Sequence, residues 1–505
     1  MWLANLLDRH RLHDGSRVAI TDENGEVTYG ELASRCEGIA ARLRAAGIRH
    51  GDRVLVLSRN RSEALESYVA LTRAGAVAVP INHALVANEV QHVVALTNAT
   101  GAVGEGELLA RAVDPSRLSF VWDFDGEEYR EAAGSGREAR PPIGSLDEPA
   151  AILCTSATTG LPKGVVLTHR ALQYQALTWL ATTGHGRDVT YLAAPPVFHS
   201  TVTVAFAYLA AGGRIVLSHN FSPQRCLAMI ASERVTHAYL VPSMIRYVTR
   251  AANIGNADLS SLREVFHGAA PMSAALRRDA AQLLNCRLRD CYGQAEAGGP
   301  ITLGEPLGAS VDAQDPRWRS AGRPLMGFEL RVTDGAQETA EGGVTGEVCV
   351  RSPAIMRGYW EDEAATGKSI QHGWLHTGDA GTLTEDGELV IVDRITDVII
   401  RGGQNVYPAE VERVLCQHPL VAEAAVVGCA DAMLGEQPAA YVVAVDGCSL
   451  DPGEVLASLS SSMASFRRPV SLTVLDELPR NPAGKVLKRV LRERDALDVP
   501  SAPSH

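Results

Sequence analysis

The chain has 505 residues, 46% hydrophobic and 21% charged, with a net charge of −12. That length exceeds one ordinary core and predicts two to four domains or subdomains. The acidic balance excludes a broad nucleic-acid or membrane surface but leaves room for a local cationic pocket. In chain order, RVAITDENGEVTYGELASRCEGIAARLRAAG reads as strand, Asn-Gly turn, strand and a helix ending at Gly47. RVLVLS, EALESYVALTRAG and AVAVPI continue as strand, helix and strand, a rhythm that predicts a mostly parallel sheet covered on both faces. Residues 101–148, acidic and glycine-containing, read as loop-rich surface. The βα rhythm returns from Ala150 to about Leu217 and from His237 to Phe266. From about Ser320 short strands and glycine turns (GFELRVTD, GEVCVRS, GELVIVD) predict an antiparallel or barrel-like subdomain.

A boundary is expected after Arg394, dividing an N-terminal domain (1–394) from a small α/β domain (395–505). The small domain is read as a glycine loop, a helix with Pro408 in its first turn, strands in AEAAVVGC and AAYVVAVD, a helix over 452–464 and the strand VSLTVLD. A disordered tail is expected from about residue 496. The N-terminus meets charge too soon for a signal peptide, and no apolar run nears the roughly 20 residues that span a bilayer. Nine scattered cysteines lack zinc or redox spacing and fit reduced thiols in a cytoplasm. Lysine occurs only at Lys163, Lys368, Lys485 and Lys488, in a chain that otherwise uses arginine. Each is therefore a candidate for a task that a guanidinium fork does not perform.

The stretch TSATTGLPKG concentrates such chemistry. AAILCTS before it reads as a buried strand, and GVVLTHRALQYQALTWL after it as a helix capped by Thr168. Between them Thr155, Ser156, Thr158, Thr159, Gly160, Lys163 and Gly164 supply hydroxyls, backbone N–H groups and one ammonium, a nest suited to polyphosphate. The spacing is not that of a Walker loop. Standing alone, the stretch would also pass for a polar surface turn.

It is joined downstream by GAAP (Gly268, Ala269, Ala270, Pro271), YGQAE (Tyr292 to Glu296), TGD (Thr377 to Asp379), DRITDVIIRGGQNVYPAEVE (Asp393 to Glu412) and PRNPAGKVLKR (Pro479 to Arg489). In that order and at those intervals the six segments resemble the adenylate-forming superfamily of acyl-CoA synthetases, adenylation domains and luciferases, over essentially the whole chain. The resemblance implies an α/β fold: two doubly wound sheets and a β-barrel-like subdomain in a large domain, followed by a small mobile α/β domain. It implies a ligase that makes acyl-AMP from a carboxylic acid and MgATP, then passes the acyl group to the thiol of coenzyme A. Lys485 matches the lysine placed between carboxylate and α-phosphate, where two anions must meet. Glu296 matches the Mg2+ ligand. Thr155, Ser156, Thr158, Thr159 and Lys163 match the phosphate contacts. Asp379 and Arg394 match the ribose contacts, and Tyr292 the adenine-stacking ring. The GAAP backbone, Asp290, Gly293 and Gln294 border the same nucleotide. Gly402 and Gly403 match a pantetheine tunnel where a missing Cβ lets a thin chain pass, although an ordinary tight turn also explains them. His199 in PPVFHS, Val241, Met244 and the Gly298–Gly299 pair are candidates for the acyl pocket. Arg467 and Arg468 are candidates for CoA phosphates or a merely solvated pair.

Three departures from the family pattern stand out. Ala157 replaces a glycine of the phosphate loop, and Ala295 replaces a threonine whose hydroxyl would donate to the α-phosphate. Thr396 occupies the hinge position, usually Asp or Lys. The first two strike ATP handling, whereas the glycines and ribose contacts of the thiol half are intact. Two readings stay open: slow adenylation with both half-reactions retained, or thioesterification of acyl-AMP made by a partner adenylating enzyme. A stand-alone enzyme that loads a carrier-protein thiol, a luciferase-like oxidase and a non-catalytic nucleotide binder are the competing classes. A bulky hydrophobic or aromatic acid is the substrate expected from the family, and a homodimer is left open.

Overall fold

The computed structural model describes residues 2–155, 162–199, 201–270, 272–333, 343–431, 433–445, 447–480 and 486–498. Two compact units emerge, one of residues 1–330 and 350–376, the other of 331–349 and 377–505.

The first unit contains two sheets, each built from apolar runs too continuous to leave a face in water. One has seven strands in the order Gly358–Tyr359, Lys163–Thr168, Pro149–Thr155, Val77–Ile81, Arg53–Leu57, Gly101–Gly104, Phe120–Asp123, parallel from Pro149–Thr155 to Phe120–Asp123. Leu55, Val79, Ala102, Ile152 and Val166 share a cluster with Val90, Val93 and Leu108 from the covering helices. The other sheet has nine strands and includes Thr190–Ala193, His237–Tyr239, Glu264–Gly268 and Arg287–Gln294 side by side and parallel. Leu192, Ala238, Val265 and Leu288 pack there against Leu227, Ile245 and Ala280. Local signals start the helices as read: Thr28 and Glu31 form a reciprocal capping box ahead of Tyr29–Ala45.

Two sequence readings of the first unit need correction. Residues 101–148 hold the strands Gly101–Gly104 and Phe120–Asp123 and the helices Gly106–Ala112 and Glu127–Gly134. Their glycines mark close approach rather than turns: a Cβ on Gly101 would lie 2.2 Å from the Phe120 ring, and one on Gly104 2.1 Å from the Leu57 carbonyl. Likewise GVVLTHRALQYQALTWL is not one helix. Lys163–Thr168 is a strand antiparallel to Pro149–Thr155, and the helix is His169–Thr183 with Thr168 as its cap. The β-branched Val165 and Val166 fill a buried strand, and the Thr168 hydroxyl then accepts from the Ala171 N–H at 3.1 Å. The phosphate-type loop therefore joins two hairpin strands, not a strand and a helix N-terminus.

In the second unit Asp379–Leu383 pairs antiparallel with Leu389–Arg394. A five-stranded sheet follows, with Gln404–Val406, Ile399–Arg401, Gly435–Ala444 and Val421–Asp431 in that order and Ser471–Leu475 also on Gly435–Ala444. Ile399, Val411, Leu415, Val426 and Val442 form its core under the helix Pro408–Leu415. The helix expected over 452–464 is shorter, Pro452–Ser458, and the last helix runs from Lys488 to Asp498, past the point where a tail was expected.

Candidate active site

In the first unit, the hairpin strands bring Thr155 opposite Lys163. The Thr155 hydroxyl donates to the Lys163 carbonyl at 3.5 Å. The Lys163 ammonium lies over the ring of Tyr359, 4.8 Å from its centroid. That phenol donates to Oε1 of Glu296 at 3.0 Å. Burial first, and the Glu296 charge second, push its pKa up to about 12, so it stays a donor. Glu296 sits in the 3-10 turn Ala295–Ala297, whose backbone is tied down by the Met356 N–H donating to the Glu296 carbonyl at 2.7 Å. Ser156, Ala157, Thr158, Thr159 and Pro271 lie outside the described residues.

The strands Glu264–Gly268 and Arg287–Gln294 set Gly268 opposite Cys291, one residue before Tyr292. A Cβ on Gly268 would stand 2.0 Å from the Cys291 carbonyl, so only glycine lets the strands run this close. Ala269 then takes φ +67°, a left-handed conformation costing about 1–2 kcal/mol for a residue with a Cβ. It and Ala270 are exposed beside the half-buried Tyr292. Gly293 is packed under the Gly299 carbonyl, 2.2 Å from where a Cβ would be, and the Gln294 amide nitrogen is buried without a protein partner among the described residues. Asp290 is held by Arg277, with His267 Nδ1 at 3.9 Å.

The PPVFHS loop is held by the buried Asn60, whose amide donates to the Ala193 and Pro195 carbonyls at 3.1 and 3.0 Å and accepts from the Val197 N–H at 2.9 Å. The His199 ring lies tilted against Phe198, with centroids 4.4 Å apart, and its Nε2 is buried with no partner among the described residues. Burial, with His83 nearby, lowers its pKa to about 4, so the imidazole is neutral at pH 7. Val241 precedes the helix Pro242–Thr249, and Met244 within it leans on the core of the nine-stranded sheet. Gly298 and Gly299 are buried with φ +77° and +137°, and the Ala354 carbonyl lies 2.4 Å from where a Gly298 Cβ would be. Backbone geometry thus suffices to explain both glycines.

In the second unit Asp379 faces Arg394 across the hairpin, with Nε to Oδ1 at 3.2 Å. Asp379 is buried, while the Arg394 side chain is 40% exposed. Thr377 organises the turn by donating to the Val348 carbonyl at 2.7 Å and accepting from the Asp379 N–H at 3.1 Å. Thr396 lies exposed in the 3-10 turn Ile395–Asp397. Gly402 and Gly403 have φ +56° and +81° and form the two-residue turn between Ile399–Arg401 and Gln404–Val406. Arg467 pairs with Glu410 at 3.0 Å, and Arg468 donates to the Met463 and Ser460 carbonyls, each at 3.0 Å. Lys485 lies outside the described residues.

Two family profiles match: that of the AMP-binding enzyme over residues 7–360, and that of the AMP-binding enzyme C-terminal domain over residues 410–485. The chain belongs to the AMP-binding enzyme family. Among curated relatives it is 34% identical to a fatty acid–[acyl-carrier-protein] ligase of Streptomyces coeruleorubidus (96% of this chain, 95% of that one). It is 35% identical to a feruloyl-CoA synthase of an Amycolatopsis species (94% and 96%). Among solved structures it resembles ATP-bound MatB of Rhodopseudomonas palustris, at TM-score 0.89 and 30% identity (97% and 98% covered). It also resembles the o-succinylbenzoate CoA synthetase of Bacillus subtilis holding its acyl-adenylate, at 0.84 and 29% (97% and 98%). The fold and enzyme class implied by the six segments therefore hold: this is an adenylate-forming acid–thiol ligase. Among the described residues no helix is long and apolar enough to cross a membrane.

Within this AMP-binding enzyme, sequence reasoning missed three residues. Tyr359 links Lys163 to Glu296, and its only signal was an aromatic after Gly358 in GYW. Asn60 was hidden in a loop after RVLVLS. Lys488 was noted only for rarity, yet its ammonium pairs with the half-buried Glu412 at 2.8 Å. Burial pulls its pKa down, but Glu412 and Asp393 outweigh this and raise it. Asp393 accepts N–H bonds from Arg394 and Ala409, each at 2.7 Å, so the charges of this cluster are mutually satisfied.

Proposed function

We propose that this enzyme joins a carboxylic acid to coenzyme A through acyl-AMP, with its ATP-dependent half weakened. In the first half-reaction a carboxylate oxygen attacks the α-phosphorus of ATP, the bond to the bridging oxygen breaks, and pyrophosphate leaves. In the second, the CoA sulfur attacks the acyl carbon, AMP leaves with the bonding pair, and the thiol proton goes to solvent. Lys485 carries the positive charge between carboxylate and α-phosphate, and Lys163 with Thr155, Ser156, Thr158 and Thr159 holds the outer phosphates. Glu296 is the residue to hold Mg2+: a hard oxygen donor whose second oxygen has no protein partner among the described residues. Bound there, the ion would neutralise triphosphate charge. Tyr292 stacks on adenine beside the Ala269–Ala270 backbone, and Asp379 with Arg394 takes the ribose hydroxyls. His199, uncharged, borders the acyl or pantetheine channel, and Thr396 is the hinge between the half-reactions, within a mobile domain from residue 395 on. Gly402 and Gly403 border the pantetheine path.

The observation that carries the weakened first half is Ala295, which puts a methyl immediately before Glu296, where the family's threonine would donate to the α-phosphate. Losing that bond costs about 1.5–3 kcal/mol, or roughly 10- to 150-fold in rate. CoA-thioester formation is to be compared between free acid plus ATP and the preformed adenylate, with ferulate and dodecanoate as probes. The adenylate should react at least about tenfold faster, and Ala295→Thr should narrow the gap. Equal rates from both starting points, with stoichiometric pyrophosphate, would refute a weakened first half. A carrier-protein thiol as acceptor is the second reading, favoured by the Streptomyces relative; holo-carrier protein outcompeting CoA would establish it.

A further inference from the structure

Lys163 and Glu296 carry opposite charges on neighbouring elements, yet no ion pair joins them among the described residues; both contact the same side chain. The ammonium rests on the face of the Tyr359 ring, 4.8 Å from its centroid, and the carboxylate takes the phenol O–H at 3.0 Å. We infer that Tyr359 is a positioning residue that keeps Lys163 and Glu296 apart, so that one remains free for phosphate and the other for a divalent cation. The inference rests on the proposed roles of those two residues.

Everything around Tyr359 holds it still. Gly358–Tyr359 pairs antiparallel with Lys163–Thr168, Tyr359 opposite Val165 and Gly358 opposite Val166. The next residue, Trp360, donates its N–H to the Gly164 carbonyl at 2.7 Å. On the other side the Tyr359 N–H donates to Thr366 Oγ1 at 2.9 Å, and that hydroxyl donates to the Asp362 carbonyl at 2.7 Å. A Cβ on Gly358 would meet Thr366 Cγ2 at 2.7 Å, so glycine is what lets the strand lie this close. The ring is thus fixed against the strand that begins with Lys163. An aromatic face attracts an ammonium without neutralising it, so the charge stays available to a phosphate. A phenol bonded to one carboxylate oxygen orients the other without supplying an opposing charge. A direct Lys163–Glu296 bridge would cancel both.

Two variants separate the functions of the one side chain. Tyr359→Phe keeps the ring and removes the hydroxyl; Tyr359→Leu removes both. Mn2+ affinity in the presence of ATP is read by electron paramagnetic resonance, and metal-free ATP affinity by calorimetry. Tyr359→Phe should weaken Mn2+ about tenfold while metal-free ATP changes less than about twofold. Tyr359→Leu should weaken both ligands by about fivefold or more, and ATP–pyrophosphate exchange should fall further than thioester formation from acyl-AMP. Unaltered Mn2+ affinity in Tyr359→Phe, or equal losses of both ligands in the two variants, would overturn the inference, and the phenylalanine variant, isosteric at the ring, still decides if the leucine variant does not fold. Glu296→Gln is the control. If it keeps Mn2+ affinity, the metal role of Glu296 fails; if it loses affinity and Tyr359→Phe does not, the positioning role of Tyr359 fails.

Discussion

Two aspartate–arginine pairs in this chain contain Asp290, Asp379 and Arg394, three residues first read as nucleotide contacts. In the first unit, Arg277 reaches Asp290 from the helix Ala274–Leu283, and the two side chains are 8% and 14% exposed. In the second, Arg394 reaches Asp379 across a hairpin, with Arg394 40% exposed. The first pair lines a small cavity together with Trp318 and Leu288, and Arg277 also donates to the Ser320 carbonyl at 3.3 Å. The second presents a guanidinium edge to solvent. Desolvation decides what each is for: an enclosed pair serves the fold, because breaking it strands a charge, whereas a half-exposed pair keeps capacity for a ligand.

The strongest way to break this comparison is to remove the enclosed cation. Arg277→Leu should cost about 3–5 kcal/mol in urea unfolding at pH 7, because the Asp290 carboxylate is left alone. Adding Asp290→Asn should recover much of it. A loss below about 1 kcal/mol would place this pair with surface bridges. The pH dependence sharpens the test. Burial raises the Asp290 pKa above the ordinary aspartate range, against the opposing charge of Arg277. A carboxyl raised in the folded state binds its proton more tightly there, so its contribution to stability declines as pH rises through its folded pKa. Without Arg277 that rise is larger, and the gap between variant and wild type should shrink as pH falls from 7 toward 4. The difference matters rather than either curve, since His169 and His237, each lowered by burial to about 3, cost both proteins stability below about pH 6.5.

At the half-exposed pair the expected effects change place. Arg394→Ala should lower AMP affinity roughly 10- to 150-fold by calorimetry, the cost of a charge-assisted bond, and change stability by less than about 1 kcal/mol. A large stability loss with unchanged AMP binding would make the second pair structural as well.

This contrast also shows what was legible beforehand. Arg53–Leu57 and Val77–Ile81 could be read because buried parallel strands need unbroken apolar runs, and helix starts because Thr28 and Thr168 cap through local bonds. Gly101 and Gly104 were misread because close approach to Phe120 and Leu57 is a tertiary fact, and a glycine for close packing is written like a glycine for a turn. For the site, the resemblance picked out Asp290 and Asp379 equally, since nothing in the sequence around either reports the exposure of the arginine that meets it, 8% at Arg277 and 40% at Arg394. Tyr359 escaped because Lys163 and Glu296 are brought to it only by tertiary contacts, the pairing of Gly358–Tyr359 with Lys163–Thr168 and the bond from Met356 to Glu296.

The smallest effect divides the two glycine pairs along the same line. An added Cβ on the buried Gly298 would meet the Ala354 carbonyl oxygen at 2.4 Å, whereas one on Gly403 would meet nothing within 4 Å. Gly298→Ala therefore adds a clash to its strained φ of +77°, while Gly403→Ala carries only the left-handed penalty at φ +81°, about 1–2 kcal/mol. Because the Gly402–Gly403 turn is exposed, the methyl of Gly403→Ala points into open space. If that turn borders the CoA path, the variant should raise KM for CoA several-fold while ATP–pyrophosphate exchange holds. If it is a turn and nothing more, the stability loss should appear in thermal unfolding with KM for CoA unmoved. The two outcomes separate a glycine kept for its φ from one kept for the space beside it.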